Sequence, residues 1–299
     1  MSRRQLPLQA TALDRLIERM EAVQPDPPTF GNPVGCSRAT GSKHSVYLGV
    51  VSWFIKMHTT MVRKGAQLFV GETHAGPFWY MNSATGELTV GSPAIDLDVL
   101  DTSPLFAEQG FRYKAVFCEK GKPKAIVDQL RYAIQAGGFG QYGDVEVLHG
   151  PFEEQLPHYL DRMRAWHCGV LFIDANGSIA NDLVTLCQEY RHELKNIDLC
   201  IWHQAHVRRR FNGLSAQAVA PGGKWHGAIE KYDYRPLAEL LPDLCKQRWL
   251  IRRPFNAGYG TAWTMLVGSN WKELPEWRAG EMYRLDSLTG QAILAECDG

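Results

Sequence analysis

No stretch of the sequence approaches the ~20 consecutive apolar residues that a membrane-spanning helix requires, so no membrane partner is expected. The seven cysteines, at 36, 118, 168, 187, 200, 245 and 297, are odd in number, widely spread and contain no C-x-x-C pair. That spacing argues against both a disulfide framework and a zinc knuckle. H-E-x-x-H and other metal-ligand spacings are missing among the ten scattered histidines, and no metal is expected. The G-x-x-x-x-G-K-[ST] phosphate loop is absent too, which speaks against a nucleotide triphosphatase. There is no net charge: 32 Lys and Arg balance 32 Asp and Glu. Any nucleic-acid partner must therefore be met by a local basic patch. Internal repeats and low-complexity tracts are also lacking.

What the chain does have is the composition of an ordinary globular protein, 45% hydrophobic and 21% charged over 299 residues. That length allows one large domain, or one domain with an appendage. The opening "MSRRQLPLQATALDRLIERM" reads as an amphipathic helix (about 10–23) and not as a signal peptide, which places the protein in the cytoplasm. A Pro-, Gly- and Ser-rich connector or flap, "QPDPPTFGNPVGCSRATGSK", follows. From His44 to Arg63 apolar residues recur at helical spacing and lead into the strand "AQLFVGE".

From there strands and helices alternate: strand 114–120, helix 122–136, strand 145–150, helix 151–166, strand 168–177, helix 181–194 and strand 197–205. Near-continuous apolar strands in such an order imply an α/β fold with a mostly parallel sheet covered by helices on both faces. The tail differs: "KQRWLIRRPF" and "YGTAWTMLVGSN" predict two long strands, an antiparallel pair at the edge of the sheet. The expected organisation is an N-terminal helix and flap (1–42), a main domain (43–270) and a C-terminal extension (271–299).

Ligands of open α/β sheets bind beyond the carboxyl ends of the strands, and four of these ends carry suggestive residues. The first is Thr73-His74-Ala75-Gly76-Pro77, where a glycine lets backbone approach a ligand. G-x-G-x-x-G is not present, because Phe78 stands where a second glycine would be. Glu119 ends the next strand, the place of an acid that binds ribose hydroxyls. His149-Gly150 ends the third, where a side chain flanks an adenine ring. Asp174-Ala175-Asn176-Gly177 ends the fourth, and an acid after five apolar positions is costly if only a turn is wanted. Each end also admits an ordinary turn, but their succession is the arrangement of an adenosyl cofactor site.

At these residues the sequence resembles the Rossmann-like class I S-adenosylmethionine-dependent methyltransferases. "ETHAGPFWYMNSATGEL" is similar to the "DTHAGAGRY…TGE" segment of bacterial ribosomal-RNA adenine-N6 methyltransferases. The layout "KHSVYLGVVSWF…THAGP…GSP…FCEK…FIDANG" resembles the three-Cys-motif partner proteins; the likeness covers about residues 43–270. It implies S-adenosylmethionine as cofactor, with Thr73, His74, Ala75 and Gly76 at its methionine and ribose end. Glu119 would take the ribose diol, His149 and Gly150 the adenine, and Asp174 a place beside the transferred methyl and the target nitrogen.

The amino-methylating enzymes carry Asp-Pro-Pro-aromatic where this chain has Asp-Ala-Asn-Gly. Asn176 is the candidate for one contact usually made by proline-held backbone, and Trp202 or His203 for the missing stacking surface. Three arginines, Arg208, Arg209 and Arg210, follow the strand that ends near His203; Lys246, Arg248, Arg252 and Arg253 with Trp249 and Phe255 add a second basic, aromatic stretch. Such stretches suit phosphates and unstacked bases. The Gly-rich segment 211–227 reads as a mobile lid. The expectation is thus a methyltransferase of DNA or RNA, with an exocyclic amino group, adenine N6 first, as its target. A catalytically altered, cofactor-binding partner protein and a small-molecule methyltransferase are the alternatives, and a homo-oligomer is compatible with each.

Overall fold

The structure, a computed structural model, describes residues 7–23, 38–81, 86, 88–120, 125–163, 166–174, 179–205, 214–223, 226–256 and 262–298. The chain divides into two compact units: Met1–Leu156 with Trp166–Val170, and Pro157–Ala165 with Leu171–Gly299.

The first unit opens with two helices, α1 (Pro7–Val23) and α2 (Arg38–Arg63). Leu16 and Met20, four apart, bury one stripe of α1, while Tyr47, Val51, Phe54, His58 and Val62 recur at helical spacing on the buried face of α2. Strand β1 (Gln67–Glu72) follows, then a short antiparallel pair, β2 (Trp79–Met81) with β3 (Leu88–Val90). Helix α3 (Ser92–Thr102) starts with Pro93 in its first turn, where the missing N–H costs nothing. The short α4 (Pro104–Ala107), β4 (Tyr113–Glu119), α5 (Ala125–Ala136), β5 (Gly143–His149), α6 (Phe152–Leu160) and β6 (His167–Asp174) come next. Counted along the chain, the four strands of the main sheet lie in the order 3-2-1-4, that is β5-β4-β1-β6, the opening of a doubly wound sheet.

Strands β1, β4 and β5 pair in parallel. A Cβ on Gly169 of β6 would lie 1.8 Å from the carbonyl oxygen of Phe69, so only glycine lets β6 approach β1 this closely. Arg19 of α1 lays its guanidinium over the Phe139 ring at 3.6 Å and donates to the carbonyl of Gly137 at 2.8 Å. The expected helix 151–166 is shorter than its pattern suggests. It contains Pro157, which removes one backbone hydrogen bond, and it ends one turn later at Leu160.

The second unit contains the end of β6, then α7 (Asn181–Glu189), β7 (Ile197–Gln204), β8 (Arg248–Arg252), the two-residue β9 (Phe255–Asn256), β10 (Ala262–Ser269), β11 (Met282–Arg284) and α8 (Leu288–Asp298). Its strand order is β11-β8-β10-β7-β6, with β9 on β10. The expected antiparallel pair is present, Leu266 of β10 facing Ile251 of β8. β10 also runs antiparallel to β7, and β11, not anticipated from sequence, adds a further strand beyond β8. Helix α7 ends at Glu189, short of the expected 194, and a separate 3₁₀ turn follows at Glu193–Asn196. The fold class is the α/β, Rossmann-like one read from the sequence, a mixed sheet with antiparallel strands. Among the described residues no helix is long and apolar enough to cross a membrane.

Candidate functional site

The site builds up from the carboxyl ends of β1, β4 and β5, which the parallel register brings to one edge of the first unit. Glu119 of β4 stands opposite His149 of β5, and Phe117 opposite Glu72 of β1. After Glu72 the chain leaves the sheet through Thr73-His74-Ala75-Gly76-Pro77. Thr73 is buried, with its hydroxyl 2.8 Å from His74 Nδ1, and His74 is half-buried against the Phe152 ring, centroids 5.3 Å apart.

Two backbone amides then tie this loop to β4. Ala75 N–H donates to the carbonyl of Cys118 at 3.0 Å, and Gly76 N–H donates to Glu119 Oε2 at 2.7 Å. Gly76 adopts φ +69°, a left-handed conformation that favours glycine, and among the described residues nothing lies within 4 Å of where its Cβ would sit. The loop backbone there borders open space. The third strand end joins through Gly150, whose N–H donates to the carbonyl of Glu119 at 3.0 Å. His149 is exposed beside it. Thr73, His74, Ala75, Gly76, Glu119, His149 and Gly150 therefore sit together.

Phe78 does not crowd this loop, although it replaces a glycine. Its side chain is fully buried edge-on to Phe139 at 4.9 Å, and its N–H donates to Gln129 Oε1 at 2.9 Å. The aromatic ring serves the core, and the backbone turn comes from Gly76.

Behind the loop lies a group of buried polar residues that sequence reasoning missed. Glu72 accepts a short hydrogen bond from Ser92 Oγ, and Tyr47 OH donates to Asp96 Oδ2 at 3.2 Å. Asp96 is fully buried; burial pushes its carboxyl up to about 8, against hydrogen bonds to Glu72 and Tyr47 that pull it down. Asp96 Oδ1 meets no hydrogen-bond partner among the described residues. Two bare carboxylates offer only acceptors, so the contact between Asp96 and Glu72 needs one proton on the pair. The available signal was an acid amid the apolar run Ala94, Ile95, Leu97 and Leu100 of α3.

In the second unit Asp174 ends β6 half-exposed, while Asn176 lies outside the described residues, as do Arg208, Arg209 and Arg210. Trp202 and His203 are interior residues of β7, 4% and 3% exposed. Trp202 meets the Phe255 ring edge-on at 6.0 Å, and burial lowers the His203 imidazole to about 4, which keeps it neutral near neutral pH. The second basic stretch divides in two. Lys246 is buried on backbone carbonyls, Arg252 pairs with Glu281 at 3.3 Å and lies over the Phe255 ring, and Arg248 and Arg253 stay exposed. Of the expected lid, residues 214–223 and 226–227 are described and include a short helix, Ala216–Val219. Groups of three or more metal-ligating side chains are not found among the described residues.

No protein-family model matches the chain, and no curated protein matches it in sequence. Among solved structures it is similar to the methyltransferase domain of METTL16, at 10% identity over 88% of this chain and 79% of that one, with a TM-score of 0.44. A DUF574 family protein from Streptomyces avermitilis matches at 12% identity over 88% and 91%, TM-score 0.43. An O-methyltransferase from Bacillus cereus, in complex with SAH, matches at 14% identity over 87% and 91%, TM-score 0.38. With TM-scores below 0.5 these likenesses carry no weight for activity, and the reading below rests on the chain's own residues.

Proposed function

We propose that the chain binds S-adenosylmethionine at the edge formed by loop 73–77, Glu119 and His149, and is a methyltransferase of DNA or RNA with a base amino group, adenine N6 first, as target. The observation that carries the cofactor is the Gly76–Glu119 contact: an acid at the end of β4 held against a left-handed glycine whose Cβ position has no neighbour within 4 Å among the described residues. A ribose diol needs such an acceptor, and a nucleoside needs such a backbone cradle. Gly76 and Ala75 border the ribose and methionine end, the half-exposed Glu119 accepts from the ribose hydroxyls, and exposed His149 flanks the adenine. The cofactor, when bound, supplies an electrophilic methyl group.

On the acceptor side the reading assigns Asp174 and Asn176 to the target amino group, and Arg208, Arg209 and Arg210 to phosphates. Trp202 and His203 offer little surface to a base where they stand. That burial, with the Asp-Ala-Asn-Gly sequence, favours as second reading a partner protein that binds the cofactor without turnover. A cytoplasmic location belongs to either.

Calorimetric titration with S-adenosylmethionine tests the cofactor. Glu119→Ala should weaken binding by about 1.5–3 kcal/mol, roughly ten- to a hundredfold, the scale of hydrogen bonds to a charged group. A wild-type chain that does not bind it ends the proposal. Radiolabelled methyl transfer to DNA and RNA then separates the readings: tight binding without transfer to either points to the partner protein.

A further inference from the structure

The second unit holds a cleft of about 490 Å³ that none of these roles uses, lined chiefly by Arg191, His192, Lys195, Lys246, Gln247 and Asn270. Cys245 completes the lining, so three of seven residues are Lys or Arg, one is His and none is acidic. This happens in a chain whose acids and bases are equal in number. Arg191, His192 and Lys195 are exposed, and among the described residues their side chains make no ion pair or hydrogen bond.

Their mounting is fixed. Lys246, buried, donates its ammonium to the carbonyls of Leu194 and Ile197 at 2.5 and 2.6 Å. Asn270 Nδ2 donates to the carbonyls of Lys195 and Cys245 at 3.1 and 3.4 Å, while its Oδ1 accepts from Gln247 N–H at 3.0 Å. Two polar side chains thus cross-link segment 194–197 to segment 245–247. A wall whose backbone is fixed in this way needs no ordering when a ligand enters. The cleft lies at the start of β7, the end opposite Trp202 and His203.

We propose that this cleft is a binding site for the phosphate group of a nucleotide-sized ligand. The arginine fork matches two phosphate oxygens, the lysine adds a point charge, and no carboxylate in the wall repels the anion. Its volume falls within the range of small-ligand sites, about 300–1,000 Å³. The proposal is independent of the cofactor reading, and its test avoids adenosine for that reason.

The full chain is titrated calorimetrically at low salt with inorganic phosphate, with UMP and with a short single-stranded oligonucleotide. The same titrations are run on the double variant Arg191→Ala/Lys195→Ala, whose altered side chains are exposed and whose fold is checked by circular dichroism. UMP or phosphate binding that weakens at least tenfold in the variant, and weakens in wild type as salt is raised, supports the site. Variant-sensitive binding of the oligonucleotide alone assigns the same cleft to backbone phosphates. No binding of any probe, or binding the double variant leaves unchanged, overturns the proposal.

Discussion

Replacing Asp96 with asparagine should change how the stability of the chain depends on pH. Asp96 is wholly buried on α3 between Tyr47 of α2 and Glu72 of β1, and burial raises its carboxyl from an ordinary 3.8 to about 8. Between these values the folded chain holds a proton that the unfolded chain has lost. Stability from this group is complete below pH ~4, falls as pH rises through the folded value, and is gone above it. At a full one-proton difference the slope is about 1.4 kcal/mol per pH unit, so some 4 kcal/mol is an upper bound between pH 5 and 8. Asn keeps the shape and a donor toward Glu72 but cannot ionise. Urea unfolding of wild type and Asp96→Asn at pH 5, 6, 7 and 8 measures the effect. The variant should match or fall slightly below wild type at pH 5 and gain on it steadily toward pH 8. Parallel curves would refute the assignment of a buried proton to this carboxyl.

Three further outcomes follow from the same geometry. Asp174→Ala should leave S-adenosylmethionine affinity nearly intact and lower methyl transfer about a hundredfold, roughly 3 kcal/mol at the transition state; lost affinity with normal turnover at saturation would make Asp174 a cofactor ligand instead. Tyr113→Phe should cost about 1–3 kcal/mol in urea unfolding, because the fully buried Tyr113 hydroxyl donates to Asp101, whose other oxygen holds Gly140 N–H at 2.8 Å. A neutral effect would mean that Asp101 recovers a partner. Burial pushes the thiols of Cys118, Cys187 and Cys297 up to about 12, so iodoacetamide at pH 8 should leave all three unmodified in the native chain, as read by mass spectrometry; rapid labelling of Cys118 would contradict a closed β4.

The longer strands, β1, β4, β5, β6, β7, β8 and β10, were readable in the sequence because apolar runs of strand length, ending in polar or glycine positions, leave little choice of period; the short β2, β3, β9 and β11 were not. The placement of Glu119 and Gly76 beside one another at strand ends was readable for a related reason: a strand end gives an acid or a glycine no place in the apolar core. Helix ends were read less well. Apolar spacing continues through Pro157 toward Trp166, and through Glu189 toward Leu194, but spacing alone does not show where the backbone turns. The role of Phe78 was not readable, since its place in a glycine pattern says nothing of which way the ring points. Asp96 escaped notice because single-sequence reading treats an acid within a helix as solvent-facing, whereas only the pairing of α2, α3 and β1 shows it enclosed. The basic stretch 246–253 shows the same limit: four cations look alike in sequence, but Lys246 and Arg252 are bound internally.

The break after β1 reads in sequence as a binding loop, and the structure ties several of its backbone amides down. Ala75 is tied to the backbone of Cys118, Gly76 to the carboxylate of Glu119 and Phe78 to the side chain of Gln129. Just before them Glu72 is anchored from α3 by Ser92. These tethers reach β4, α5 and α3, so the loop cannot swing as a hinged flap without losing several at once. A ligand that uses this edge meets a cradle already formed, and little of its binding energy goes to ordering the chain. That reasoning gives Glu119 two duties. It fixes the loop through Gly76, and under the proposed function it would also offer an acceptor to the ligand.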